Sequence, residues 1–205
     1  MNRQAQDSRI LKHVIEGLLA KRQSLTVAID GPCGSGKSTL AQRLKEHFGT
    51  DCAVIHVDDF FLQPHQRSAE RLAAPGGNMD RERLRDEVLI KLRPGMPLSY
   101  SRYDCQTDAL CQLTLTPAKL NIVEGSYSLH PELLNYYDLK VFLDIDDETR
   151  LARLRRRVPA NLMADFLDKW IPMENAYFEH FNVRAGSDLV LVSKDAPCGE
   201  STEPA

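Results

Sequence analysis

The chain has 205 residues, 42% of them apolar and 27% charged, with a formal net charge of −3. That length suits one domain with a full core, and the charge leaves no global field to draw in nucleic acid, so any anion site must come from local charge. No apolar run approaches the ~18 residues a membrane span needs, and the N-terminus carries no signal-peptide core, so a cytoplasmic protein is expected, with no membrane or nucleic-acid partner.

In chain order, Ser8 to Lys21 repeats apolar residues at helical spacing and predicts an amphipathic helix with His13 on its solvated side. Ser24 to Asp30 is a β-rich apolar run. It leads into Gly31-Pro32-Cys33-Gly34-Ser35-Gly36-Lys37-Ser38-Thr39, which fits the phosphate-binding pattern G-x-x-x-x-G-K-[S/T]. Its glycines let backbone N–H groups close round phosphate oxygens. Lys37 can reach the β- and γ-phosphates, and the Ser38 hydroxyl can bind Mg²⁺. Residues 38–45 read as a helix whose positive dipole end lies under those phosphates. Strand before and helix after make a chance match to a glycine-rich turn a poor account.

Ala53 to Val57 reads as a second buried strand ending in Asp58-Asp59-Phe60-Phe61. Ligands of open α/β sheets bind beyond the carboxyl ends of the strands, so an acid pair there is placed for chemistry, with a turn cap as the plainer role, above all for Asp59. Residues 74–80 carry loop chemistry, and 81–92 a helix for which Asp80 is a natural N-cap. Residues 98–104 and 111–115 suggest a hairpin. Leu120 to Gly125 is a third buried strand, and an acid such as Glu124 at this place in P-loop proteins serves Mg²⁺. Residues 139–145 form a fourth strand. Residues 147–157 form a helix with five arginines in its last eight residues. Residues 168–181 are a further helix, with Trp170, Ile171, Tyr177, Phe178 and Phe181 read as core. Residues 188–192 are a fifth strand, and 193–205 are expected to be a disordered tail. The five cysteines show no C-x-x-C pair and read as free thiols.

Strand–helix alternation predicts a three-layer α/β domain over 8–192: a five-stranded, mainly parallel sheet covered by helices. There is no internal repeat. Guanine-reading N-K-x-D and switch D-x-x-G motifs do not occur where a GTPase needs them, and the L-S-G-G-Q stretch of ABC-type ATPases is missing.

Several stretches together, GPCGSGKST, VDDFF, GGNMD, IVEGSYSL, FLDIDDETRLARLRRR and SDLVLV, resemble the uridine kinase family of P-loop nucleoside kinases. The resemblance spans roughly residues 22–192 and extends in the core to phosphoribulokinase and bacterial pantothenate kinase. It implies ATP as phosphoryl donor, Mg²⁺ as cofactor, and a small-molecule hydroxyl acceptor, with uridine or cytidine first. Asp58 would be the catalytic base, and Lys37, Arg153 and Arg157 would meet the phosphates. Ser38 and Glu124, with Asp58 nearby, would serve the metal. Asp80 would bind ribose hydroxyls, and Tyr103 would lie against the nucleoside. The family's base-reading histidine corresponds to Asp108 here, and the basic lid is shorter. Both departures leave phosphoryl transfer intact and bear on the acceptor. Pantothenate or a sugar is the alternative acceptor, a non-catalytic nucleotide binder the alternative class, and an assembly of identical copies stays compatible with the sequence.

Overall fold

A computed structural model of the protein describes residues 3–193. The tail read at 193–205 lies outside the described residues except for Ser193. Five strands, β1 (Leu25–Asp30), β2 (Cys52–His56), β5 (Leu120–Glu124), β6 (Leu139–Asp144) and β7 (Leu189–Val192), form one sheet in the order β2-β5-β1-β6-β7. Every pairing in it is parallel. Strands β3 (Leu98–Asp104) and β4 (Ala109–Leu115) form the separate antiparallel hairpin, with Asp104 opposite Ala109 across the turn.

Alternation along the central strands sorts their side chains into two cores. Leu25, Val27 and Ile29 of β1 pack with Leu11 and Ile15 of α1 (Arg3–Leu19) and with Leu40 and Leu44 of α2 (Lys37–Phe48). On the other face Ala28, Val123 and Phe142 pack with Phe60, Tyr127 and Tyr177. A parallel sheet covered on both faces needs such near-continuous apolar strands. The first helix starts earlier than its apolar periodicity suggests, and His13 on it is exposed.

The connection from β2 to β3 holds the short helices α3 (Ala69–Ala73) and α4 (Arg81–Glu87). Arg71 binds the loop between them from one side: its guanidinium donates to the carbonyls of Gly77 and Met79 and to both oxygens of Glu82. At Gly77 a Cβ would stand 1.8 Å from the Arg71 carbonyl oxygen, which explains the glycine.

After β6 come α5 (Asp147–Arg157), α6 (Met163–Asp165), a π-helical turn over Phe166–Trp170, and α7 (Ile171–His180). The last helix therefore begins about one turn before the apolar pattern suggested. Cys33, Cys52, Cys105 and Cys111 are free thiols, as their spacing implied.

Candidate active site

The C-terminal ends of β1, β2 and β5 converge on the phosphate loop. Gly31 has φ 143°, and a Cβ there would meet the Leu143 carbonyl oxygen at 2.3 Å, so only glycine lets the chain leave β1 beside β6. Behind the loop stands Asp30, fully buried. Its carboxylate accepts the N–H groups of Gly31, Tyr127 and Leu129 and the Tyr177 hydroxyl at 2.7–3.1 Å. One side chain thus ties the phosphate loop to the segment that follows β5. Burial pushes its carboxyl up to about 6, against those donors and the Lys37 charge.

Lys37 arches back over the loop, with Nζ donating to the carbonyls of Gly31 at 2.7 Å and Pro32 at 3.0 Å and to Ser126 Oγ at 3.3 Å. Ser38 Oγ donates to Glu124 Oε2 at 3.2 Å. The other Glu124 oxygen lies 2.6 Å from His56 Nδ1. That hydrogen bond raises the His56 pKa above its ordinary value. Sequence reading missed His56. Its one signal was the place it holds, in parallel register with Glu124 on the neighbouring strand.

Asp58 lies in the 3₁₀ turn after β2, open to the cleft, so the second strand ends sooner than its apolar run suggested. Crowding by the walls pushes its carboxyl upward. Lys37 opposes this, and Glu124 and Glu174 add to it. Asp59 turns away and accepts a 2.9 Å hydrogen bond from the Tyr100 hydroxyl.

A cleft of about 490 Å³ opens above these groups. Its floor is the loop from Cys33 to Thr39, and Asp58, Glu124 and Ser126 stand on its strand side. One flank is Phe61, Arg67, Leu72 and Asn78. The roof is Arg157, Phe166, Lys169 and Trp170. Trp170, read from sequence as core, faces this cleft instead, because the π turn rotates it off the packed face of α7. A small depression lined by Ser35, Gly36, Thr39, Arg43, Leu143 and Ser193 adjoins the same loop.

The arginines of α5 divide. Arg157 lines the cleft. Arg153 does not: its Nη1 donates to the carbonyls of Gly34 and Ser35 and to Ser193 Oγ, at 2.9–3.1 Å, and so buttresses the loop. Arg150 is buried and paired with Glu174 of α7. Glu174 in turn accepts the Cys33 N–H at 2.9 Å and the Ser126 hydroxyl at 2.6 Å. Neither member of this pair was singled out by the sequence. The Cys33 thiol is pushed up to about 11, first by burial and then by Glu174, so it is no nucleophile.

Asp80, Tyr103 and Asp108, expected to meet the acceptor, have protein partners in this structure, and none of them lines the cleft. Asp80 is buried as the N-cap of α4. It accepts from the Arg83 N–H at 3.1 Å, from Arg83 Nε at 3.1 Å and from Gln66 Nε2 at 2.9 Å, and it does not line the cleft. Tyr103 is buried, with its hydroxyl donating to Asp108 Oδ1 at 2.7 Å and accepting from Arg67 at 3.3 Å. Asp108 is exposed at the hairpin turn with φ 51°. Helix capping engages Asp80, and a hydrogen bond across the hairpin engages Asp108.

Hard oxygen donors, the Ser38 hydroxyl and the Glu124 carboxylate with Asp58 on the same cleft, suit Mg²⁺, which keeps waters and phosphate oxygens in most of its coordination sphere. Among the described residues no group of three His, Cys, Asp or Glu side chains forms an all-protein metal cage.

A parallel sheet of this order, with a lysine-bearing phosphate loop and acids at adjacent strand ends, defines a P-loop small-molecule kinase. The family model described as an AAA domain matches residues 27–164, more than half of the chain, and the chain belongs to that family. Curated relatives include the uridine kinases of Clostridium perfringens and Geobacillus kaustophilus. The first is 27% identical over 175 residues, covering 77% of this chain and 83% of that one. The second is 28% identical over 175 residues, covering 77% and 82%. Among solved structures, that of a possible uridine kinase from Bacillus stearothermophilus superposes with TM-score 0.64 at 22% identity, covering 88% of this chain and 98% of that one. The D-glycerate 3-kinase of Cryptococcus neoformans shares the fold at TM-score 0.57 and 15% identity, covering 83% and 89%.

Proposed function

We propose that the protein transfers the γ-phosphoryl group of ATP to a hydroxyl of a small molecule, with Asp58 as the base. The observation carrying this reading is the position of Asp58, an open carboxylate in the same cleft as Lys37, Ser38 and Glu124. A hydroxyl is a poor nucleophile until its proton leaves, and a positioned carboxylate contributes about 10²–10⁴-fold in such steps. On this reading, Lys37 turns from its loop carbonyls to the β- and γ-phosphates, and Arg157 offsets charge developing on the transferred group. Ser38 and Glu124 would hold Mg²⁺, which supplies charge neutralisation on the phosphate oxygens. Arg153 keeps the loop in shape from outside. A scaffold that only binds nucleotide would have no need of Lys37, Asp58 and Glu124 together.

The relatives' name makes uridine or cytidine, giving the 5′-monophosphate, the first acceptor to try. A different hydroxyl metabolite is the second reading. It is favoured by the Tyr103–Asp108 hydrogen bond, which occupies the two residues expected to meet a pyrimidine nucleoside. The proposed setting is the cytoplasm.

The experiment is an assay of purified protein with Mg²⁺-ATP and uridine, cytidine or pantothenate, read as phosphorylated acceptor, beside Lys37→Ala. Transfer to at least one acceptor is expected, with turnover falling roughly 10²-fold or more in the variant. Transfer that survives Lys37→Ala within a few-fold would remove this loop from the chemistry.

A further inference from the structure

The 490 Å³ cleft holds more than a nucleotide's phosphates require. On the kinase reading the phosphates would lie on its floor, at residues 33–39. A separate depression bounded by Thr39, Arg43, Leu143 and Ser193 adjoins the same loop and could take the donor's nucleoside. What remains between flank and roof is the acceptor chamber. Its walls offer the rings of Phe61, Phe166 and Trp170, and two cations, Arg67 and Lys169.

Among the described residues, neither cation has a carboxylate in direct contact, and Arg67 meets Asp108 only through the Tyr103 hydroxyl. Arg67 uses Nε and Nη2 on the Leu62 carbonyl and the Tyr103 hydroxyl, and its guanidinium lies 5.7 Å from the Tyr103 ring centroid. Its Nη1 makes no hydrogen bond among the described residues. Lys169 rests its ammonium 4.4 Å from the centroid of the Trp170 ring. A ring face orients a cation without cancelling its charge. Among the described residues, no carboxylate lies within 4.0 Å of either group.

The acids of the cleft are already engaged. Glu174 is paired with Arg150, and Glu124 is held by His56 and Ser38. Asp58 faces Lys37's field and is the proposed base. On the kinase reading Lys37 and Arg157, with Mg²⁺ held by Ser38 and Glu124, would answer the charge of the nucleotide. Arg67 and Lys169 are left over. Both are solvent-exposed in the open cleft, and a neutral acceptor covering them would remove water from each without supplying a counter-charge.

We infer that the acceptor carries a negative charge of its own: a carboxylate or phosphate beside the hydroxyl, on an apolar or ring-bearing body, bound by Arg67 and Lys169. This rests on the kinase reading and selects its second acceptor class over the neutral nucleosides.

The test uses the full chain saturated with Mg²⁺ and a non-hydrolysable ATP analogue, so that the phosphate loop is filled. Inorganic phosphate, acetate or uridine is then titrated at constant ionic strength, and the melting temperature is followed. The phosphate and acetate arms distinguish the two anion types. At least one anion should raise the melting temperature with saturation, uridine should not, and Arg67→Gln/Lys169→Gln should weaken the anion's apparent affinity at least tenfold while leaving analogue affinity unchanged. Stabilisation by uridine alone overturns the inference. So does no response to either anion, or an anion response that the double variant keeps. Failure of the analogue itself to bind, in wild type, is a separate result and strikes the kinase reading beneath it.

Discussion

The floor and the roof of the cleft are built in opposite ways. The polar groups of the floor are tied to backbone or to one another across neighbouring elements. Lys37 lies on loop carbonyls, Asp30 gathers three N–H groups, and Ser38 in the first turn of α2 meets Glu124 at the end of β5. The roof and flank present side chains instead. Lys169 lies on a ring, Arg157 reaches into the opening, and Phe166 and Trp170 come from one π-helical turn. A floor fixed by backbone suits the part of the reaction that never varies, the positioning of phosphates. A roof of side chains can change its ligand by substitution without disturbing the sheet. That is why the chain can share a fold with kinases of unlike acceptors while departing at Asp108 and in its short lid.

The sharpest break between the two regions is Asp58→Asn. The side chain keeps its size and loses its capacity to take a proton, so turnover should fall about 10²–10⁴-fold with ATP affinity near normal. Asp59→Asn, one residue along and bonded to Tyr100, should keep its turnover. If Asp59→Asn is the inactive one, the register of the catalytic acid is wrong.

The seam between floor and roof is Arg150–Glu174. Glu174→Ala leaves a buried guanidinium beside the phosphate loop and should cost about 3–5 kcal/mol in chemical denaturation. Arg150→Met/Glu174→Leu removes both charges and should recover most of that loss. A double variant as unstable as the single one would mean the pair's hydrogen bonds to Cys33 and Ser126, rather than charge burial, dominate.

Asp30 probes the floor by pH. Its folded pKa of about 6 lies above the ordinary 3.8, so between those values the folded state holds a proton that the unfolded chain has released. Stability from this group is therefore complete below about pH 4 and is lost as pH rises to about 6, on the order of 3 kcal/mol in all. Denaturation of wild type and Asp30→Asn across that window should show the falling component in wild type alone. Parallel curves for the two would place the Asp30 pKa near its ordinary value.

The smallest effect belongs to Asp80. Asp80→Ala should lower stability by at least about 1–2 kcal/mol through the lost cap, with a further loss from its buried pair with Arg83, softened because Arg83 keeps its bonds to the Asp59, Phe61 and Ser101 carbonyls. The acceptor KM should stay within twofold. A large rise in that KM with unchanged stability would bring Asp80 back to the substrate.

The amino-acid sequence determined what depends on local geometry. Apolar strands, a glycine-rich turn and the lysine and serine after it form one continuous stretch, and chain neighbours need no tertiary contact to be brought together. The acids at strand ends were legible for a related reason: parallel strands all finish on one edge, so Asp58 and Glu124 had to meet near the loop. Even the hairpin was readable, since its arms are close in the chain. Tertiary structure decided the rest. Whether Asp80 caps a helix or faces a ligand depends on where α4 packs. Arg150 and Glu174 lie 24 residues apart, in a stretch where several arginines are chemically alike. Only the docking of α5 and α7 against the phosphate loop chose which of them is buried. The same docking turned Trp170 out of the core and into the cleft, because a π turn shifts the helical phase that periodicity takes as constant.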